Sequence, residues 1–252
     1  MIRFVTFNIR CDYEQDGANN FCFRKELIKE KIEKEKPDII CFQEVLPHVS
    51  LWLKSELKGY YVLGCGRSQD FQDEQMAVAY RLDRFDLIFW ETFWLSASGR
   101  PGSRYRSQSI CPRTAAEAVF YDREEKEMYR VFNTHLDHVS GEARKRGLGK
   151  ILDRIERPKI FPEAGVILAG DFNAGPDWPE LADLWERGKL TDAAGELGGT
   201  FHDYGRRPHP EKIDYICLSG RLKAVGAKRW EDCENGVYLS DHYPVSVEIY
   251  RE

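Results

Sequence analysis

The sequence predicts an α/β domain of two β-sheets with helices on their outer faces. Short apolar runs rich in Val, Ile, Phe and Tyr recur from one end of the chain to the other, and stretches of helical spacing and dense charge fall between some of them. At 252 residues, with 42% apolar and 31% charged residues, the composition is that of a globular protein with a sizeable core. No internal repeat, low-complexity tract or linker divides the chain, so residues 1–252 are expected to form a single domain.

Each element has a local reason. Residues 2–8 (IRFVTFN) form a first strand, and the polar, irregular residues 11–22 an exposed loop. Residues 24–35 (RKELIKEKIEKE) have a thin apolar stripe at helical spacing, and Pro37 stops that helix. DIICFQE (38–44) is a buried strand, 48–57 a helix, and 60–65, 76–81 and 85–94 are strands. Residues 96–113, rich in Gly, Ser, Arg and Pro, form a long loop. Strands at 115–122 and 128–134 flank the charged turn DREEKE. A basic helix covers 141–157, and GVILAGDFN (165–173) runs from strand into loop. A short helix near 178–187 and strands at 213–218, 222–230 and 244–250 complete the chain.

The formal net charge of −5 argues against a protein that grips duplex DNA without sequence preference. Seven cysteines contain no C-x-x-C pair, and Cys41 and Cys217 lie inside apolar runs, so neither a zinc nor a disulfide framework is expected. The chain opens directly into a strand, without a basic segment followed by an apolar one, and has no run of membrane-spanning length. A cytoplasmic location without membrane attachment is the expectation.

Polar residues of a particular kind stand where the apolar runs end. They are Asn8 in VTFNIR, Glu44 in CFQEV, His135 in FNTHLDH, Asp171 and Asn173 in GDFN, Asp214 in KIDYI, and Asp241-His242 in LSDHYP. Carboxylate, amide and imidazole groups gathered at strand ends suit metal-assisted hydrolysis of a phosphoester. A hard cation such as Mg²⁺ needs only one or two carboxylates, with water and phosphate oxygens completing its shell, and Glu44 can supply one. Asn8 can hold a metal-bound water or a carboxylate in place. Asp171 and Asn173, two residues apart, can face one side of an extended segment. An unpaired acid at Asp214, within a strand, would be costly, which favours a partner for it. The spacing His135-x-x-His138 also fits a zinc site, but no third nitrogen or sulfur ligand is near in sequence. A glycosidase using Glu44 and Asp171 would leave both histidines and Asn173 without a role.

In this order the motifs TFNIR, QE, NTHLDH, GDFN, IDY and SDHYP resemble those of the endonuclease/exonuclease/phosphatase superfamily, over Asn8 to His242. The resemblance implies a four-layer α/β/β/α sandwich of two packed mixed sheets and a phosphoesterase dependent on a divalent metal, Mg²⁺ with Mn²⁺ as a substitute. It implies that Asp171 is the general base and that Asn173 orients the water or contacts phosphate. His242, oriented by Asp214, and His135 would stabilise phosphoryl charge, while Asp241 helps Glu44 and Asn8 at the metal. Some nucleases of the family carry an acid where this chain has Arg10. That departure speaks against a second metal there and suggests a cation facing substrate phosphate.

Arg113, at the end of the long loop, is a further candidate for substrate binding. Arg24, the run Arg144-Lys145-Arg146, His138, His202, Tyr204 and the aromatics Trp90, Phe93 and Trp94 are weaker candidates, more often structural in such settings. The expected substrate is a phosphodiester of a nucleotide or short single-stranded nucleic acid. A phosphomonoester of a sugar or inositol is the alternative, and an inactive binding module of the same fold a third. The loops at 11–22, 66–75 and 96–113 would set specificity.

Overall fold

The computed structural model describes residues 1–157 and 162–252. The strands are β1 (Ile2–Asn8), β2 (Ile39–Val45), β3 (Tyr60–Leu63), β4 (Gln75–Arg81), β5 (Phe85–Trp94), β6 (Thr114–Asp122), β7 (Glu127–His135), β8 (Gly165–Asp171), β9 (Leu190–Asp192), β10 (Asp214–Ser219), β11 (Leu222–Arg229), β12 (Cys233–Glu234), β13 (Val237–Tyr238) and β14 (Val245–Arg251). The helices are α1 (Phe21–Glu35), α2 (Pro47–Glu56), α3 (Gly141–Glu156) and α4 (Ala182–Glu186). One six-stranded sheet has the order β11-β14-β1-β2-β4-β3 and the other β5-β6-β7-β8-β10-β9. Each is antiparallel except for one central parallel pair, β1 with β2 and β7 with β8.

Alternation along the central strands explains the layering. Phe4, Ile39, Cys41, Val131, Ile167 and Ala169 meet in the seam between the sheets. Their neighbours in sequence point the other way: Val5, Ile40 and Phe42 pack with Ile28 and Ile32 of α1 and Val49 and Leu53 of α2. Phe132 and Leu168 pack with Leu148, Ile151 and Leu152 of α3. Strands buried on both faces read as continuous apolar runs, which is why the sequence marks them so clearly. Three apolar seams between four layers give the α/β/β/α sandwich. At about 25 cal/mol per Å² of apolar surface removed from water, these seams are the main stabilising term.

Several boundaries differ from the sequence expectation. Helix α1 starts at Phe21, within the expected loop, because that ring packs edge-on against Trp52 of α2 at 5.2 Å. The rest of the loop contains one 3₁₀ turn, Gly17–Asn19. Strand β9 and the β12–β13 hairpin were not expected. The hairpin turns through Asn235-Gly236, both at positive φ (51° and 82°), the backbone that Asn-Gly favours in tight hairpins. Phe93 and Trp94 are buried packing residues. Among the described residues no helix is long and apolar enough to cross a membrane.

Candidate active site

The topology brings particular strand ends together. The parallel pairs β1/β2 and β7/β8 direct their C-termini to one edge of the sandwich, and the antiparallel neighbours β14 and β10 bring their N-termini there. Along the inward faces, polarity changes towards this edge with a period of two. Phe4 gives way to Thr6 and Asn8, Cys41 to Gln43, Val131 to Asn133 and His135, and Ala169 to Asp171. The first polar layer closes the seam: Gln43 Nε2 donates to Asn133 Oδ1 at 2.8 Å and to Thr6 Oγ1 at 3.1 Å. Asn133 Nδ2 donates to the carbonyls of Phe42 and Ala77. The next layer is the site.

Glu44 lies out of that period. A bulge between Phe42 and Val45 interrupts the pairing of β2 with β4, and Glu44 has a left-handed φ of 62°. Arg10 (φ 64°) and Asn173 (φ 49°) share this conformation, so three non-glycine residues around the site hold backbone that L residues seldom adopt. For Asn173 the consequence departs from the expected extended segment. Phe172 is buried and stacked on Tyr215 at 4.8 Å. The chain then turns back, so that the Asn173 N–H donates to Asp171 Oδ1 at 2.9 Å and its Nδ2 to the Leu136 carbonyl at 3.1 Å.

Asn8 is the hub. Its Nδ2 donates to Glu44 Oε1 and to Asp171 Oδ2, both at 3.0 Å, and its Oδ1 accepts the Arg10 N–H. Glu44 Oε2 accepts the Cys11 N–H at 2.8 Å. Burial opposes ionisation of Glu44, but the Arg10 charge and these hydrogen bonds outweigh it and hold the carboxyl below its ordinary range. Asp171 goes the other way: burial and the neighbouring Asp214 push it up to about 7, against the pull of His242.

His242 Nδ1 is 2.8 Å from Asp214 Oδ2, and its Nε2 is 3.8 Å from Asp171 Oδ2. Burial would neutralise this imidazole, yet Asp214, Asp241 and Asp171 together raise its pKa to about 10. His135 is its opposite. Burial and the Arg113 charge hold His135 neutral, with Nε2 3.5 Å from Asp171 and Nδ1 3.9 Å from Glu44. That Nδ1 is buried with no hydrogen-bond partner.

These groups form the floor of a cleft of about 380 Å³. One wall is the loop before β4, where Arg67 makes two 2.8 Å bonds to the carboxylate of Glu74. Burial and Glu44 push Glu74 up to about 7. Another wall carries Arg113, whose Nη2 donates to His138 Nδ1 at 2.9 Å while its buried Nε has no hydrogen-bond partner. Arg10, Asp241 and Phe201 complete the lining, with the Phe201 ring 4.9 Å from that of His242.

The sequence profile of the Endonuclease/Exonuclease/phosphatase family matches residues 5–242. The chain belongs to that family. Among solved structures it is similar to an endonuclease/exonuclease/phosphatase from Bacteroides vulgatus, with 29% identity, a TM-score of 0.92, and 100% and 99% of the two chains covered. A mannosyl-6-phosphatase from Bacteroides thetaiotaomicron shares the fold at 24% identity and a TM-score of 0.90, covering 99% and 100%. TDP2 from D. rerio, solved with a single-strand DNA product, shares it at 17% identity and a TM-score of 0.79, covering 99% and 98%. Comparison with curated proteins returned no match. As a member of this family, the chain is a hydrolase of phosphoesters.

Enzymes of the family depend on a divalent metal, and the donors present fit one. Glu44, His135 and Asp171 offer ligand atoms within 4.8 Å of one another, as do Asp171, Asp214 and His242. The orphaned His135 Nδ1 beside Glu44 is the kind of buried atom that an ion or its water would satisfy.

Asn8, Glu44, His135, Asp171, Asn173, Asp214, Asp241 and His242 all meet at this edge, with Asn8 and Asp214 just behind the cleft surface. Arg10 and Arg113 line the cleft. Asp241 stands apart from both three-residue clusters, its Oδ2 3.6 Å from Arg10 Nη1.

Arg24 is not available to substrate. It is fully buried and donates to the carbonyls of Asn19, Ile9, Leu239 and Arg10. Arg144 is buried on Glu180, and Arg146 pairs with Glu142. His202 stacks on Tyr243 at 3.8 Å, and Tyr204 bonds Asp16 behind Arg10. Sequence reasoning missed Arg67, Glu74, Cys11, Cys111 and Phe201. Glu74 had a signal, an acid directly before an apolar strand, as at Asp241-His242; Arg67 had none.

Proposed function

We propose that the chain is a Mg²⁺-dependent phosphomonoesterase acting on small, polyhydroxylated phosphate esters of the sugar phosphate class. The observation that carries the substrate class is the lining of the cleft. Arg67, Glu74, Arg113, His138 and Asn173 are polar side chains of the lining, held in place by bonds such as the Arg67–Glu74 pair, and Phe201 is the one Phe, Tyr or Trp among the lining residues. Such a surface suits hydroxyl groups better than a nucleobase. The shared fold with a mannosyl-6-phosphatase supports the same choice.

Glu44 and His135 would hold the ion beside Asp171, with Asn8 fixing both carboxylates. When bound, Mg²⁺ supplies positive charge to the phosphoryl and leaving oxygens. Asp171 Oδ2 takes a proton from the attacking water, a role suited to a carboxyl pushed up to about 7. Asn173, locked by its bond to Leu136, fixes the loop that presents Asp171. His242 presents Nε2–H to the phosphoryl oxygens, while Asp214 holds Nδ1 and keeps the ring protonated. Arg113, a lining residue of the cleft, would add positive charge towards the phosphate.

A second reading, a phosphodiester of a nucleotide or short single strand, has one observation in its favour. Tyr13 and Phe71 are about half exposed, on the loops that carry Cys11 and Glu74 to the cleft, where an exposed ring can stack a base. We take residues 1–252 to act as one domain, because β1 and β14, from opposite ends of the chain, are paired neighbours. Seven free cysteines suit a reducing compartment such as the cytoplasm.

The test is a substrate panel with Mg²⁺, Mn²⁺ or EDTA. It would hold hexose and inositol phosphates, mononucleotides, dinucleotides, and single-stranded RNA and DNA. The account expects metal-dependent release of inorganic phosphate, fastest from a sugar phosphate. Cleavage of the diesters with sugar phosphates untouched would overturn the substrate class.

A further inference from the structure

His138 stands on the wall of the cleft, and the chemistry of its bonded neighbour fixes its own. Arg113 Nη2 lies 2.9 Å from His138 Nδ1. A guanidinium has donors and no acceptor, so Nδ1 must accept, and the proton of a neutral ring then lies on Nε2. A proton on Nδ1 would set N–H against N–H. Protonation of the whole ring is disfavoured too, since partial burial and the Arg113 charge hold His138 below the ordinary imidazole range. The ring is therefore neutral, with Nε2–H as its one donor. Among the described residues no protein group accepts from that donor.

Arg113 is itself held in place. It is buried directly before β6, and its carbonyl accepts the Leu95 N–H at 2.8 Å. Its Nε stands 3.8 Å from Asp137 Oδ1. Asp137 in turn accepts the N–H groups of Ser109, Val139 and Ser140. Carboxylate, guanidinium and imidazole thus stand in series. Asp137 and His138 adjoin in sequence, yet the guanidinium that links them comes from the end of the long loop at 96–113.

The three imidazoles of the cleft differ in what they can do. His242 is kept protonated by Asp214, and His135 is buried and neutral with Nδ1 unpartnered. His138 is exposed where the other two are buried. A neutral imidazole does not give up its remaining proton near neutral pH, so His138 cannot serve as an acid. It can donate a hydrogen bond without adding charge. Arg10, Arg67, Arg113 and His242 already supply positive charge to the lining. A neutral donor on the exposed side suits an uncharged oxygen instead. We propose that His138 is a specificity residue that donates Nε2–H to a hydroxyl or ether oxygen of the leaving group, with Arg113 as the residue that positions it. The inference rests on the sugar phosphate reading of the proposed function and names the side chain that reads the sugar.

The first test needs no substrate. Nitrogen NMR of the isotope-labelled full chain separates protonated from unprotonated ring nitrogens, and His138→Gln identifies the signals of this ring among the six histidines. At neutral pH Nε2 is expected to carry the proton and Nδ1 to lack it. An imidazolium, or a proton on Nδ1, would overturn the proposal. The second test compares kcat/KM on a hexose phosphate and on phenyl phosphate, whose leaving group has no oxygen besides that of the ester. His138→Ala is expected to lower the preference for the hexose ester by about 5- to 15-fold, the worth of one neutral hydrogen bond, and His138→Gln, which carries an amide donor, by less. A wild-type preference that survives in His138→Ala to within about twofold would overturn this proposal alone. No preference for the hexose ester in the wild type would overturn the substrate reading as well.

Discussion

Asp171 and Asp214 are direct cross-strand partners on the antiparallel strands β8 and β10, so two carboxylates stand side by side in the buried floor of the site. Like charges in that position repel. His242 resolves the conflict from the segment before β14, with Nδ1 on Asp214 and Nε2 towards Asp171. Acid, imidazole and acid therefore act as one charged unit, and the consequences can be measured.

Replacing Asp214 by Asn removes the main charge that keeps His242 protonated. The account expects kcat to fall by about 10²- to 10³-fold, the range seen when one stabilising donor is lost, with a smaller change in KM. Steady-state kinetics on the preferred substrate checks this. A change confined to KM would show that His242 acts only in binding.

The pH dependence of stability follows from the same unit. His242 has a folded pKa near 10 against an ordinary value of 6.5. The folded state therefore binds the extra proton between those values, and the stabilisation is complete below about pH 6.5 and lost as pH rises through 10. Asp171, raised from 3.8 to about 7, acts in the same direction over the lower window. Melting curves of the metal-free protein should show Tm falling between pH 6.5 and 10, with a flatter profile in Asp214→Asn. A Tm that rises over this range would contradict the assignment.

Gly170 lies within β8, directly before Asp171. Its φ is 139°, and a Cβ there would stand 1.9 Å from the Thr134 carbonyl oxygen. Gly170→Ala should destabilise the protein by about 1–3 kcal/mol or more, seen as a Tm loss of several degrees. An unchanged Tm would mean that β7 and β8 separate more easily than their pairing suggests.

Asn8 donates to both carboxylates that flank the cation site. Asn8→Ala leaves them without their common hydrogen bond, and Mn²⁺ affinity should weaken by about 10- to 100-fold. Isothermal titration measures it directly. Wild-type affinity would reduce Asn8 to a strand-end residue.

Much of this was legible because buried strands and a polar edge leave different marks in sequence. The inward faces of β1, β2, β7 and β8 change from Phe4, Cys41, Val131 and Ala169 to Asn8, Gln43, His135 and Asp171, and the motifs sit at those changes. What was not legible depended on backbone reversals and on distant partners. The bulge that turns Glu44 into the site and the left-handed turn at Asn173 have no unique residue signature. Arg24 reads as an exposed basic residue on a charged helix, yet it is buried, because the carbonyls that satisfy it come from residues as distant as Leu239. Arg67 became a wall of the cleft only through the fold of its loop onto Glu74. The Asn235-Gly236 hairpin was written in the sequence, but flanking strands of two residues each are too short to show alternation.

The central claim is that Asp171 activates water beside a metal in a phosphoesterase. The most direct measurement compares wild type with Asp171→Asn on a sugar phosphate, with Mg²⁺ and with EDTA, while following Tm. The account predicts metal-dependent turnover by the wild type, none in EDTA, and a loss of about 10²- to 10⁴-fold in the variant. It also predicts a Tm no lower than wild type, because the substitution removes a buried, destabilised carboxylate. Turnover by Asp171→Asn at near wild-type rates, or turnover undiminished by EDTA, would contradict it.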